Sequence, residues 1–487
     1  MSVRGRWPAI AVAAMATAYA AAFAMLSVLR HRGFHTARYD LGNMTQAVWS
    51  ASRGDLFTVT DTAGNQVSRL GSHVDPILGL FAPLWRIWPS PEMLLVVQSI
   101  LVASAAIPAY LLARRWLANE RLAVTFAAVT LLYPALQWAT LFDFHAVTLA
   151  GPLILWCIWA ADAGRYVPLA ILATLAALTK EQVGLALAML GLWMAVSLGR
   201  RRAGAILAAA SLAWTAIAVW VVIPHYNHAG GSAFVQARYG ELGSDAGDML
   251  RTLVTRPWDA VELAATADGG RYVLTLILPL LALSLFAPLL AACALPELLL
   301  NLISSRPEQH QIQYHYSAVL APFLIAAAIR GLAFLRARPS SGALRWAVSR
   351  SWVVAGALLV GVIVGGYRVG PLPFWKHVPG GSRVKVEQYT VPPRADALKA
   401  AVDAIPAGAS VSAGNRLAGH LSDRRRVLTF PAIDDADYVL VDLERPDVDD
   451  DVDPAVHAGA VTALRGRTDY LLMSERGGVV TFRRVAP

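Results

Sequence analysis

The sequence predicts an all-α polytopic membrane domain followed by a small α/β domain. Three observations carry that prediction. First, 56% of the 487 residues are hydrophobic and only 15% are charged. The resulting mean hydropathy of +0.49 is too high for a soluble enzyme. Second, about eleven apolar runs recur along the first 370 residues. Third, the composition changes after about residue 370, where strand-like and helix-like stretches alternate in a roughly charge-balanced tail.

The apolar runs lie at 8–29, 92–113, 122–139, 146–161, 166–179, 182–198, 204–223, 272–286, 287–303, 317–335 and 351–367, with 272–303 reading as either one long or two short crossings. The first follows Arg4 and Arg6 and contains small residues at AYAAAF, as a signal peptide does. It is long enough to cross a bilayer and is expected to be a retained helix. With the N-terminus inside, the inner segments hold Arg114, Arg115, Arg121, Arg165, Arg200, Arg201, Arg202, Arg330, Arg336, Arg338, Arg345 and Arg350. Only Glu120 and Asp162 stand against them, so the positive-inside rule sets the orientation in a cytoplasmic membrane. The same bias accounts for the formal charge of +9 without nucleic acid as a partner. An odd number of spans then leaves the C-terminal part, 371–487, outside.

The tail reads as helix at 394–405, then strands at 410–413, 426–430 and 436–443. A helix at 453–466 and a hairpin about Gly477-Gly478 complete it. The acidic run Asp447 to Asp453 reads as a solvated loop before a helix, in preference to a calcium site. Cys157 and Cys293 both fall inside apolar runs, so no disulfide framework is implied.

Histidines fall on the side opposite the arginines. His31, His35, His73, His145, His225, His228, His310 and His315 all lie in outer loops or at outer helix ends. The first outer loop holds Tyr39-Asp40 before an amphipathic helix near 40–51, in which Leu41, Met44, Val48 and Trp49 recur at helical spacing. Asp40 stands where an N-cap would. It reads either as the cap of a helix lying on the membrane or as a catalytic carboxylate at the mouth of a cavity.

Lys180 is the only lysine before residue 376, and it precedes Glu181 between two apolar runs. An ionisable pair at that depth is costly unless it is used, and a compact ammonium suits a phosphate. The plainer alternative is that both residues cap helices and snorkel to the interface. His73 and Asp75 precede Pro76, and Asp143 and His145 stand two apart in LFDFHA. Arg306, His310, His315 and Tyr316 lie in a polar, aromatic stretch that suits either phosphate or sugar contact or an interfacial belt. His225 and His228 are three apart, but Pro224 and Gly230-Gly231 favour a loop, which argues against a zinc site there. No Walker loop, dinucleotide fingerprint, Cys-x-x-Cys pair or nucleophile elbow is present, so no cofactor is implied. A substrate delivered within the bilayer is the natural partner of such a chain.

Taken together, YDLGNMTQAVW (39–49), GSHVDPILGLFAPLW (71–85), LFDFHAVTLAGPL (141–153), LTKEQVGLAL (178–187) and LPELLLNLIS with HYSAVLAPF (295–323) resemble a bacterial family of polytopic membrane proteins. That family is known as domain of unknown function 2079. The tail segments IPAGASVSAGNRLAGHLSDRRRVLTFP (405–431) and ADYVLVDL (436–443) resemble it too. The family is similar in layout to GT-C-type glycosyltransferases, which take a sugar from a polyprenyl-phosphate donor on the outer face.

The resemblance implies an inverting transfer to a glycan, lipid or protein acceptor of the cell envelope, with Asp40 as general base. Lys180, with Arg306, His310 and His315, would hold the donor phosphate. Tyr39, His73, Asp75, Asp143, His145 and Glu181 would position the substrates. GT-C-type enzymes differ in metal use, so a divalent metal stays open. Many of them carry two adjacent acidic residues, whereas Tyr39 precedes Asp40 here, which moves the second carboxylate to Asp75, Asp143 or Glu181. The alternatives are a transporter or flippase for a lipid-linked or anionic solute and a non-catalytic scaffold. A one-sided polar cluster and the lack of an internal repeat argue against alternating access.

Overall fold

The computed structural model describes residues 7–227, 233–338, 342–382, 384–445 and 453–485. Arg4, Arg6, His228, Gly230-Gly231 and most of the acidic run lie outside the described residues. Among the described residues, six helices are long and apolar enough to cross a bilayer: Trp7–Arg32, Pro91–Leu117, Ala146–Ala163, Arg201–Tyr226, Leu320–Ala337 and Ser351–Val369. A seventh candidate is the bent pair Glu120–Leu132 and Pro134–Leu141, which meet at 45° and pass the same test together. Pro134 forces the bend by driving Tyr133 out of the helical region, to ψ 118°.

Of the expected count of about eleven, at least six are long enough to span, and the other runs are shorter or broken for local reasons. Tyr166–Ala177 and Val183–Ser197 have 12 and 15 residues. At 1.5 Å per residue they run roughly 18 and 22 Å, short of a hydrocarbon core of about 30 Å. They form a hairpin whose tip meets the first loop, where Glu181 accepts Val74 N–H. The run at 272–286 is not one helix: Ala267–Ile277 gives way to a 3-10 turn at Pro279, then Leu281 and Ala282 take left-handed conformations. There the chain lies so close to the helix Leu320–Ala337 that a Cβ on Gly331 would meet the Leu283 carbonyl at 2.0 Å. Between the helices Val183–Ser197 and Arg201–Ile217, Gly191 and Gly204 face one another so closely that neither could carry a side chain.

One group of arginines collects at one end of this bundle. Arg115 pairs with Asp162, Arg200 donates to the Ala161 and Asp162 carbonyls, and Arg330 lies over the Trp116 ring. His145 and Asp162 border opposite ends of the helix Ala146–Ala163, about 27 Å apart along its axis.

The C-terminal part carries a five-stranded sheet. Val411–Ala413 lies between Val427–Thr429 and Tyr438–Asp442, parallel to both. Tyr438–Asp442 then pairs antiparallel with Val479–Arg484, which pairs with Tyr470–Arg476 across a turn. Gly477 and Gly478 form that turn with φ of 57° and 75°, which suits a tight two-residue hairpin. The helices Ala395–Asp403 and Pro454–Arg465 flank the strands.

This part is not separate from the bundle. Phe34, just beyond the first span, is buried in the same apolar cluster as Leu398, Val411 and Leu440, and it stacks on His420. A short hairpin in the first loop, Thr58–Thr60 with Gln66–Ser68, sits beside Val427, whose N–H donates to Thr60 Oγ1 at 3.1 Å.

Candidate active site

The segment that carries Asp40 is a single π-helical turn, Arg38–Gly42, running directly into the α-helix Asn43–Ser52. Asp40 is therefore not an N-cap. That position falls to Ala37, and no capping bond comes from its side chain. The helix does not lie open on a membrane either. Leu41, Met44 and Val48 are buried as expected, but so are Thr45, Gln46 and Ser50. Gln46 shows why: its amide donates to the Arg424 and Arg425 carbonyls at 3.0 Å, under the cover of the C-terminal sheet.

Freed from capping, Asp40 turns to the bundle. Its Oδ1 lies 3.2 Å from His145 Nε2, with the imidazole buried and the carboxylate one-third exposed. The His145 ring stacks on His315, with centroids 3.8 Å apart and planes inclined by 16°. Phe142 stacks on the same ring at 5.4 Å, and His315 meets Tyr316 at 4.2 Å. The loop that presents His145 is fixed by Gln98 of the second span. Its amide donates to the Thr140 and Asp143 carbonyls and its oxygen accepts His145 N–H. Next in that loop, Asp143 accepts the Ala37 N–H at 3.0 Å and lies 3.6 Å from Arg30. Burial raises its pKa, Arg30 opposes the rise, and the nearby Asp40 charge adds to it.

A second group stands at the tip of the short hairpin. Glu181 accepts Val74 N–H at 2.9 Å and meets His73 Nδ1 at 3.2 Å, so the tip and the first loop hold each other. Burial would raise the Glu181 pKa, but His73, Lys180 and the Val74 N–H outweigh it and hold the carboxyl at about 2. Lys180 is half-buried, and its amine has no hydrogen-bond or ion-pair partner among the described residues. Burial lowers its pKa, against the pull of Glu181 and Glu297.

His315 joins the two groups. Burial pushes it well below its ordinary value, and His145, Lys180, His73 and Arg238 all press in the same direction. A buried imidazole therefore sits near the Lys180 and Arg238 cations, an arrangement that favours an anion beside it.

The remaining predicted residues are placed elsewhere or otherwise engaged. Asp75 is buried and committed to Arg69 through bonds of 2.7–3.0 Å, while Arg69 also donates to Asn43 Oδ1 at 2.7 Å. Tyr39 is exposed, with the Arg38 guanidinium 5.3 Å from its ring centre. His310 is half-buried next to Gln309, and Arg306 is exposed at the start of that turn. His225 is exposed beside Tyr226. Among the described residues, no group of three or more His, Cys, Asp or Glu side chains is disposed to hold a metal ion.

Sequence reasoning missed Arg238, Glu297, Gln98, Arg30 and Asn415. Glu297, an acid within the apolar LPELLL, left a visible signal. Arg30 and Arg238 are arginines on the histidine side, a signal that the charge count passed over. Gln98 and Asn415 left none, since their partners are 42 or more residues away.

Fold and site together define a polytopic membrane protein with a polar, cation-rich site at one end of its helices. The chain belongs to the family described as predicted membrane protein, domain of unknown function 2079, which it matches over residues 30–455. Among solved structures it is similar to ArnT from Cupriavidus metallidurans bound to undecaprenyl phosphate. That match has 13% identity and a TM-score of 0.53 and covers 100% of this chain and 99% of that one. The same protein in its apo state gives 14% identity, a TM-score of 0.48 and 99% coverage of each chain. No curated protein matches the sequence. The first of these likenesses shows that the fold is that of ArnT.

Proposed function

We propose that the protein is a GT-C-type membrane glycosyltransferase. It takes a sugar from a polyprenyl-phosphate donor and delivers it, with inversion, to an acceptor of the cell envelope. The observation that carries the reading is the contact of Asp40 with His145, whose ring stacks on His315 within reach of Lys180 and Arg238. A carboxylate and a group of side chains that favours an anion thus adjoin, as transfer from a phosphate leaving group requires.

In this reading Asp40 accepts the proton of the acceptor hydroxyl as its oxygen attacks the anomeric carbon. His145 fixes the carboxylate. The bond from that carbon to the phosphate oxygen breaks, and the departing phosphate takes the electron pair beside the Lys180 ammonium. Asp143, held by Arg30, takes the place of the second carboxylate. His73 and Glu181 hold the loop against the hairpin.

The fold of ArnT, a GT-C glycosyltransferase whose structure was solved with undecaprenyl phosphate, supports a lipid-linked donor. The arginines at the far end of the bundle support a site on the outer face, with the N-terminus inside and the sheet outside. The test is transfer from radiolabelled polyprenyl-phosphate sugars to membrane extract by purified protein. Asp40→Asn is expected to lose about 10²–10⁴-fold in kcat. Undiminished transfer would refute Asp40 as the base.

A further inference from the structure

We infer that Asn415, in the C-terminal part, is a positioning residue for Asp40, so that the sheet completes the site instead of merely covering it. The inference rests on the reading of Asp40 as the base. A helical turn leaves its first N–H groups without partners inside the helix. In the turn Arg38–Gly42 they are taken up by side chains from distant parts of the chain. Ala37 N–H donates to Asp143 Oδ2 at 3.0 Å. Arg38 and Tyr39 N–H both converge on Asn415 Oδ1, at 2.8 and 3.3 Å. One amide oxygen, 377 positions away from Arg38, caps the turn immediately before Asp40.

The surroundings are shaped for that contact. Asn415 is buried and opens the short helix Asn415–Gly419, which follows the strand Val411–Ala413 through Gly414. That helix lies so close to the chain before Asp40 that a Cβ on Gly419 would stand 3.3 Å from the Ala37 carbonyl carbon. Gly42, at the other end of the turn, leaves room for Ser422, whose Oγ would be 2.5 Å from a Cβ there. The Arg38 guanidinium closes the seam, donating to Thr429 Oγ1 at 2.9 Å and to the Thr60 carbonyl at 2.6 Å.

A single π-helical turn has little stability of its own. With Asp143 gripping one amide and Asn415 the next two, the direction of the Asp40 side chain is decided by the seating of the sheet.

The experiment compares wild type, Asn415→Ala, Asn415→Asp and Asp453→Ala in lipid nanodiscs. Asp453 caps the remote helix Pro454–Arg465 and serves as control. Hydrogen exchange is followed in peptides covering 36–45 and 411–429, and transfer is measured on the same samples. Asn415→Ala is expected to speed exchange of the Arg38 and Tyr39 amides about 10-fold or more, leaving 411–413 and 427–429 protected. It should lower kcat about 10-fold with little change in donor KM. Asn415→Asp, which keeps the acceptor oxygen, should restore both, and Asp453→Ala should change neither.

Unchanged exchange at 36–45 in Asn415→Ala overturns the inference. So does faster exchange there with kcat intact. Wild type without transfer but with the expected exchange pattern would instead refute the proposed reaction and leave the clamp standing.

Discussion

Glu181→Gln tests the electrostatics of the hairpin tip most directly. The substitution keeps the shape of the side chain and removes the charge that meets His73 and Val74 N–H. The carboxyl is held at about 2 against an ordinary 4.5. At about 1.4 kcal/mol per unit, that gap is worth roughly 3 kcal/mol of stability at neutral pH. Burial draws His73 below its ordinary value, so it carries less than a full charge. About 2 kcal/mol is therefore the working figure. A folded-state pKa below the unfolded one stabilises fully above about 4.5 and loses the contribution as pH falls toward 2. Thermal unfolding of wild type and variant, followed by tryptophan fluorescence in one detergent from pH 7 to pH 3, should show a gap of roughly 2–4 °C. The gap should hold to about pH 5 and shrink below it. A difference that ignores pH would refute an ionised Glu181 in the folded protein.

Other substitutions test the packing and the donor site. Asp75→Asn leaves the Arg69 guanidinium buried without its counter-charge and should destabilise by about 3–5 kcal/mol. The double variant with Arg69→Met should recover part of that loss in the same unfolding assay. Gly42→Ala drives a methyl into Ser422 Oγ and should cost about 1–3 kcal/mol; Ser422→Ala introduced alongside it should relieve much of the loss. Lys180→Ala should raise the donor KM about 10-fold or more in the transfer assay, while Asp40→Asn acts mainly on kcat. A Lys180→Ala enzyme with unaltered donor KM would remove the amine from the phosphate site.

Periodicity and composition are local properties, and they are what the sequence determined. The apolar runs that became the long spans, the alternation that became the C-terminal strands, and Gly477-Gly478 as a hairpin turn are all legible from neighbouring residues. The family resemblance, too, was carried by contiguous motifs. Where the reading failed, a distant partner had overruled the local signal. The run at 272–286 is apolar enough to span, but the close approach of Gly331 and the left-handed pair Leu281-Ala282 break it. The helix after Asp40 looks amphipathic, yet its polar Gln46 is buried because the sheet supplies carbonyls for it.

Site residues divide in the same way. Asp40, His145, His315, Lys180 and Glu181 could be singled out, because ionisable groups stand out against apolar sequence. Their pairing could not, since a contact between residues 105 or more positions apart leaves no periodic trace. Only the tertiary structure decided that Asp40 leaves its expected role as a cap and turns to His145, with a side chain from the far end of the chain taking the cap's place.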